Sequence, residues 1–489
     1  MSKRLWFTVI SLAAAVTYGC GGGGGGTPTT TGGSATSPIT AGPTLANYGS
    51  IDLIGPSGLA KNNPQGDSLF FDVLAVGDVN MDGHDDILLG LMRNDARTGK
   101  SVPRTVKPVL LLFDPKLNQF VASEEFAAVV SAHIWPRQGS IQDFDGDGRN
   151  DIFIGDTGID GLDNNCGYQN SLILNKRTGM VNASNTLPQG WDYSHGLVVT
   201  DFDKDGVKDL LVLNSPYLIN QWNKLNTTTC EGFNGQTIRN RSYAFSAVRT
   251  AELSLLLTAD DLDADGNPPL NLTDKYSREQ HVGAAADLNG DGFPDLVLGG
   301  SNIITILESD GKQSFKKSQR SPPPPGLLSL IDSNSCSKKW GKCNTPYSFV
   351  LTTDLDGDGQ AEIIASLAYN NFGSWQGQYF QVLKKVNGEW RDVSDKFFPT
   401  QNGVRGSATW CYRVELVDLN LDGTLDLVCN NLDSQNSKVF WLYQDGAFKP
   451  WGSPPEQSGK RYTVLTVGGR RHVLGISGIS SAQIVGWKY

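Results

Sequence analysis

Asp143-Phe144-Asp145-Gly146-Asp147-Gly148-Arg149-Asn150-Asp151, running straight into Ile152-Phe153-Ile154, is the stretch that decides the fold. With Asp143 as position 1, carboxylates stand at positions 1, 3, 5 and 9, and the backbone carbonyl of Arg149 at position 7 adds a fifth oxygen. Gly148 at position 6 permits a sharp turn. A hard divalent cation takes about 6–8 oxygen ligands, and Ca²⁺ accepts a flexible loop of this kind more readily than Mg²⁺ does.

The pattern recurs five more times. Asp78, Asn80, Asp82 and Asp86 form one copy, with the carbonyl of His84 at position 7. Asp201, Asp203, Asp205 and Asp209 form another, with Val207. Asp287, Asn289, Asp291 and Asp295 follow, with Phe293, and then Asp354, Asp356, Asp358 and Glu362, with Gln360. The last copy is Asp418, Asn420, Asp422 and Asp426, with Thr424. Position 6 is glycine every time: Gly83, Gly148, Gly206, Gly292, Gly359 and Gly423. Six copies predict about six structural Ca²⁺ sites.

The flanks exclude a helix-loop-helix site, which needs a bidentate Glu at position 12. That position holds Leu89, Ile154, Val212, Leu298, Ala365 and Cys429, all apolar. The short β-branched and aliphatic runs after each loop, bounded by Gly, Asn or Ser, read as buried strands. The copies begin at 78, 143, 201, 287, 354 and 418, a spacing that suits one propeller blade per repeat. The expected fold is therefore all-β, a calcium-binding β-propeller of seven blades, with six as the alternative. Arg461–Val467, Val473–Ile476 and Gln483–Lys488 supply three strands of a last blade, and Tyr48–Ile54 is placed to complete it. The loops and flanking strands resemble the FG-GAP or VCBS repeat family, bacterial relatives of the integrin alpha-subunit propeller, over roughly residues 45–489. The resemblance implies an extracellular, calcium-stabilised adhesion or binding module.

Residues 1–19 read as a secretory signal, with Lys3 and Arg4 ahead of an apolar Leu5–Val16 core. Cys20 before six glycines looks like a lipoprotein start, acylated at Cys20 and sorted to the outer membrane, the alternative being a secreted protein. Residues 20–44, rich in Gly, Thr, Ser and Pro, form a flexible tether. Residues 45–489 form the propeller. The other six cysteines, Cys166, Cys230, Cys336, Cys343, Cys411 and Cys429, suit disulfides after a signal peptide. Expected pairs are Cys336–Cys343, Cys411–Cys429 and Cys166–Cys230. Asp261–Gly266 begins a seventh loop that Pro268 and Pro269 interrupt.

A net charge of −10 with no basic cluster argues against nucleic acid as a partner. The long connections Asp156–Asn170, Asn214–Ala247, Pro322–Pro346 and Ser366–Gln378 are expected on the face opposite the calcium loops. Trp222 and Trp375, beside amides, are candidates there for a carbohydrate or protein ligand. A second candidate set lies six residues before each loop: Asp72, Arg137, His195, His281, Ser348 and Tyr412. These recur around one mouth of the central channel. No catalytic motif stands out, so a binding module is expected rather than an enzyme. A lyase or hydrolase using the channel-mouth residues is the alternative, and a structural envelope lipoprotein a further one.

Overall fold

Each of the six glycine-bearing loops turns the chain from one antiparallel strand into the next, because the acidic loop is soluble and the runs on either side are not. The computed structural model describes residues 44–58, 67–95, 104–158, 167–214, 243–245, 280–300, 304–309, 315–321, 347–371, 374–399, 401, 411–420, 422–431, 440–451, 461–478 and 481–488. The leader, Cys20 and the tether up to residue 43 lie outside these residues, as do Trp222, the Asp261–Gly266 half-loop and Cys166, Cys230, Cys336 and Cys343, while Thr44, read as the end of the tether, begins a strand.

The strands form seven sheets. Blade 1 is Asp67–Gly77, Asp86–Asp95, Val109–Asp114 and Gln119–Ala122; blade 2 is Pro136–Gln142, Asp151–Asp156, Ser171–Lys176 and Gly179–Asn182. Blade 3 shows Ser194–Thr200, Asp209–Asn214 and Tyr243–Phe245; blade 4 is Gln280–Ala286, Asp295–Gly300, Ile304–Ser309 and Phe315–Ser321. Blade 5 is Tyr347–Thr353, Glu362–Asn371, Ser374–Val386 and Glu389–Asp392; blade 6 is Cys411–Val417, Asp426–Asn431, Phe440–Gln444 and Ala447–Pro450. The seventh sheet, without an acidic loop, joins Arg461–Val467, Arg470–Ser477 and Ser481–Lys488 to the N-terminal strand Thr44–Asp52. That closing strand runs antiparallel to the last one, from Thr44 opposite Lys488 to Asp52 opposite Ser481.

Seven hydrophobic clusters fill the gaps between neighbouring blades, one per gap. The gap between blades 7 and 1 is included, so the ring is closed. Both faces of a blade are buried, which explains the unbroken apolar runs of the second strands. In blade 2, Ile152 and Ile154 pack toward blade 1 while Phe153 packs toward blade 3. Among the described residues no helix is long and apolar enough to cross a membrane.

Cys411 and Cys429 are disulfide-bonded across the first two strands of blade 6. Ser366–Gln378, expected as an open connection, is instead a long hairpin: Tyr369 faces Gln376, Asn370 faces Trp375 and Asn371 faces Ser374. Tyrosine and tryptophan on both arms favour a pleated pairing, and the segment simply extends the second and third strands of blade 5.

Candidate functional site

The six loops share one hydrogen-bond plan. The position-1 carboxylate accepts the amide of the position-6 glycine, at 2.9 Å for Asp78–Gly83 and 2.8 Å for Asp143–Gly148. That glycine has φ of +84° to +91° in all six, a left-handed conformation that side chains resist. The position-5 aspartate accepts the position-7 amide, as between Asp82 and His84 at 2.9 Å. The position-2 residues Val79, Phe144, Phe202, Leu288, Leu355 and Leu419 are buried beneath the loops, pinning them to the core.

Position 9 does the tying. Asp86, Asp151, Asp209, Asp295, Glu362 and Asp426 are buried, and each accepts the position-2 amide at 2.7–2.9 Å. In four blades the same carboxylate also accepts an amide from the third strand: Phe113, Asn175, Ser309 and Tyr443. One side chain thus joins loop, second strand and third strand.

Burial pushes Asp86, Asp151 and Asp209 up to about 7, and Asp295 and Asp426 to about 6. The other loop carboxylates add to the rise, while the backbone amides oppose it. In the loops of blades 2, 3 and 5, oxygens of positions 1, 3 and 9 lie within 4.8 Å of one another. Blades 1, 4 and 6 carry Asn80, Asn289 and Asn420 at position 3, whose amide nitrogens hold the position-5 aspartates at 2.9–3.2 Å. Oxygen-only donors, three or four of them anionic, fit a hard cation such as Ca²⁺ and not a thiolate or imidazole metal. His84 is no ligand through its ring: Nδ1 accepts the Gly468 amide at 2.9 Å, between blades 1 and 7.

Each blade's first strand runs toward its loop, so the strand start lies on the opposite face, at the other mouth of the channel. There the pairing of first and second strands slips by one residue in five blades. The residues at the slip are Arg137, His195, His281, Ser348 and Tyr412, each six residues before its loop. A bulge of this kind re-aims the side chain it carries. The Arg137 guanidinium lies 4.7 Å from the Trp135 ring, and His195 stacks on Tyr193 at 4.7 Å. Gln138 Nε2 donates to the His195 carbonyl at 2.9 Å. Ser348 is buried and bonded to Ser366. His281 and Tyr412 occupy bulges by their backbone; their side chains, like that of Trp375, lie outside the described residues.

Blade 1 differs. Its bulge falls at Leu74, whose side chain fills the space left by Gly90 and Gly139; a Cβ on either would come within 2.8 Å of it. Asp72, expected as an open ligand, is instead paired with Arg461 of blade 7, and both are buried. Arg413 of blade 6 donates to the Val73 and Leu74 carbonyls. Glu415 accepts from Val464 N at 2.8 Å and Thr463 Oγ1 at 3.1 Å. Desolvation pushes its carboxyl up, against the pull of Arg413. This polar network closes blades 6, 7 and 1 around the channel.

Sequence reading missed a further constellation: His133 Nδ1 lies 3.0 Å from Asp156 Oδ2, and its Nε2 2.9 Å from Ser171 Oγ. The connectivity is that of a nucleophilic triad, but Ser171 is 1% exposed and Asp156 also accepts the amides of Ile134, Trp135 and Gly158. It ties the entry of blade 2 to its second and third strands.

The FG-GAP-like repeat family matches residues 143–212 and 354–429, and the FG-GAP repeat family matches residues 281–307. No curated protein sequence matches the chain. Solved structures with a similar course include the periplasmic gluconolactonase PpgL of Pseudomonas aeruginosa, at 13% identity and TM-score 0.39, covering 84% of this chain and 88% of that one. The V. cholerae biofilm matrix protein Bap1 is 13% identical with TM-score 0.37, covering 91% and 70%. The rhamnogalacturonan lyase YesW is 14% identical with TM-score 0.30, covering 90% and 85%.

Proposed function

We propose that this chain, an FG-GAP-repeat β-propeller, is a calcium-stabilised binding module that engages a carbohydrate or protein ligand at the channel mouth opposite its acidic loops. The observation that carries this reading is the bulge repeated at one register position in five blades, with Arg137 and His195 held against aromatic faces. Bulges interrupt pairing at a cost, and their recurrence at a rim is the expected device for turning polar side chains toward a ligand. The acidic loops are scaffold in this reading. Each gathers carboxylates whose repulsion Ca²⁺ relieves, with affinities of about 10⁻⁴–10⁻³ M as in extracellular modules. An acylated Cys20 and the Gly/Thr/Ser/Pro tether would hold the propeller at the outer membrane, within reach of an extracellular or periplasmic ligand.

The test is a glycan and protein ligand screen of the full chain in millimolar calcium, repeated with Arg137→Ala and His195→Ala. Binding that both substitutions weaken at least tenfold supports the reading. Binding indifferent to both would move the site away from the mouth. Release of product from a polysaccharide would replace a binding module by an enzyme.

A further inference from the structure

Blade 5 breaks the plan of the other loops in three places at once. Its position 9 is Glu362 where the other five have aspartate, and Lys384 stands on the third strand one position beyond the Ile363–Leu383 pair, at the level of Glu362. The same register position holds Leu112, Leu174 and Leu442 in blades 1, 2 and 6, and Glu308 in blade 4. Lys384 Nζ sits 2.7 Å from Asp356 Oδ1, 2.8 Å from Asp358 Oδ2 and 2.7 Å from Glu362 Oε1. Lys396 Nζ adds a second ammonium at 2.9 Å from Asp356 Oδ2. We infer that the blade 5 loop is neutralised by the Lys384 ammonium in place of Ca²⁺, and contributes no calcium to the protein.

The inference rests on the calcium reading above and concerns which loops obey it. A calcium ion binds oxygens at about 2.3–2.6 Å, and in this loop the carboxylates at positions 3, 5 and 9 would be among its donors. Those are the three groups that the ammonium already holds, by charge-assisted hydrogen bonds that count among the strong ones. Lys384 is only 15% exposed and reaches the fully buried Glu362, so leaving the loop would strand that carboxylate. The longer glutamate side chain brings the carboxylate up to meet the lysine. Lys176 in blade 2 makes the contrast. It touches Asp145 and Asp147 but not the buried Asp151, and is 34% exposed, so it can swing out as a cation enters.

Equilibrium dialysis of the full chain against millimolar radiolabelled calcium decides the matter. Lys384→Leu, which installs the residue of three sister blades, is expected to bind one more calcium than the wild type. Asp358→Asn should leave the stoichiometry unchanged, whereas Asp82→Asn in blade 1 should lower it by one. Equal stoichiometry for Lys384→Leu and wild type, or loss of one calcium in Asp358→Asn, would overturn the inference. If Lys384→Leu does not fold, the Asp358→Asn arm decides alone. A wild type that binds no calcium, with Asp82→Asn unchanged, would instead bring down the calcium reading and this inference with it.

Discussion

Tyr48 Oη lies 2.8 Å from His472 Nδ1, a buried hydrogen bond between residues 424 apart in the chain. Tyr48 sits on the N-terminal strand and His472 on the second strand of blade 7. The Tyr48 ring also meets Phe113 and Phe120 of blade 1 edge-on, both at 5.9 Å. One side chain therefore fastens the last blade to the first. Tyr48→Phe keeps the packing and removes the buried Tyr48–His472 hydrogen bond, so a loss of about 1–3 kcal/mol is expected. Tyr48→Ala opens a cavity as well and should cost about 3–5 kcal/mol. Urea unfolding of the two variants separates the contributions; equal stability of Tyr48→Phe and wild type would refute the role of the hydrogen bond.

Position 9 and position 3 of one loop should behave differently. Asp151→Ala removes the acceptor of the Phe144 and Asn175 amides, so about 2–4 kcal/mol should be lost even in chelator, and more in calcium, where a donor to the cation goes as well. Asp145→Asn leaves the position-9 hydrogen bonds in place and removes a loop charge that pairs with the half-exposed Lys176, so its cost should be larger in calcium than in chelator. Unfolding curves of both variants in the two buffers provide the check.

The raised carboxyls set the pH response of the calcium-free protein. Their folded pKa lies above the unfolded value, so the folded state holds more protons between about pH 4 and 7. Stability from this source is full below the unfolded pKa and is lost as pH rises through about 6 to 7, the folded values of Asp295, Asp426, Asp86, Asp151 and Asp209. In chelator, Tm should fall from pH 5 to pH 8; in millimolar calcium the fall should be much smaller. A chelated Tm that rises over this range would contradict the assignment.

The Cys411–Cys429 bridge closes a short loop, with a separation of 18 residues. A chain-entropy estimate gives about 3 kcal/mol for a loop of this size. Replacing both cysteines by serine should lower urea stability by that order, with no change in the calcium stoichiometry.

Much of the fold was legible because it is local. Six loops with glycine at position 6, and apolar runs behind them, announce strand, turn and strand within a dozen residues. The closing strand was visible as a missing partner for three C-terminal strands. What stayed hidden depends on distant pieces. The bulges at Arg137 and His195 are slips between strands, and a slip leaves no mark in either strand alone. Asp72 looked like its counterparts by position, but Arg461, 389 residues on, claims it. Lys384 is an ordinary lysine until the third strand of blade 5 lies beside its loop. Tyr369 to Trp375 looked like an exposed aromatic connection because pairing across a hairpin tip is set by register, not by composition.

The central claim is that the acidic loops hold the propeller together by binding calcium. Differential scanning calorimetry of the chelated full chain, titrated with calcium at pH 7.5, tests it most directly. The account predicts that Tm begins to climb at about 0.1–1 mM free calcium, near the dissociation constants, and keeps rising with the logarithm of the calcium concentration above it. A Tm unchanged across the whole titration would contradict it.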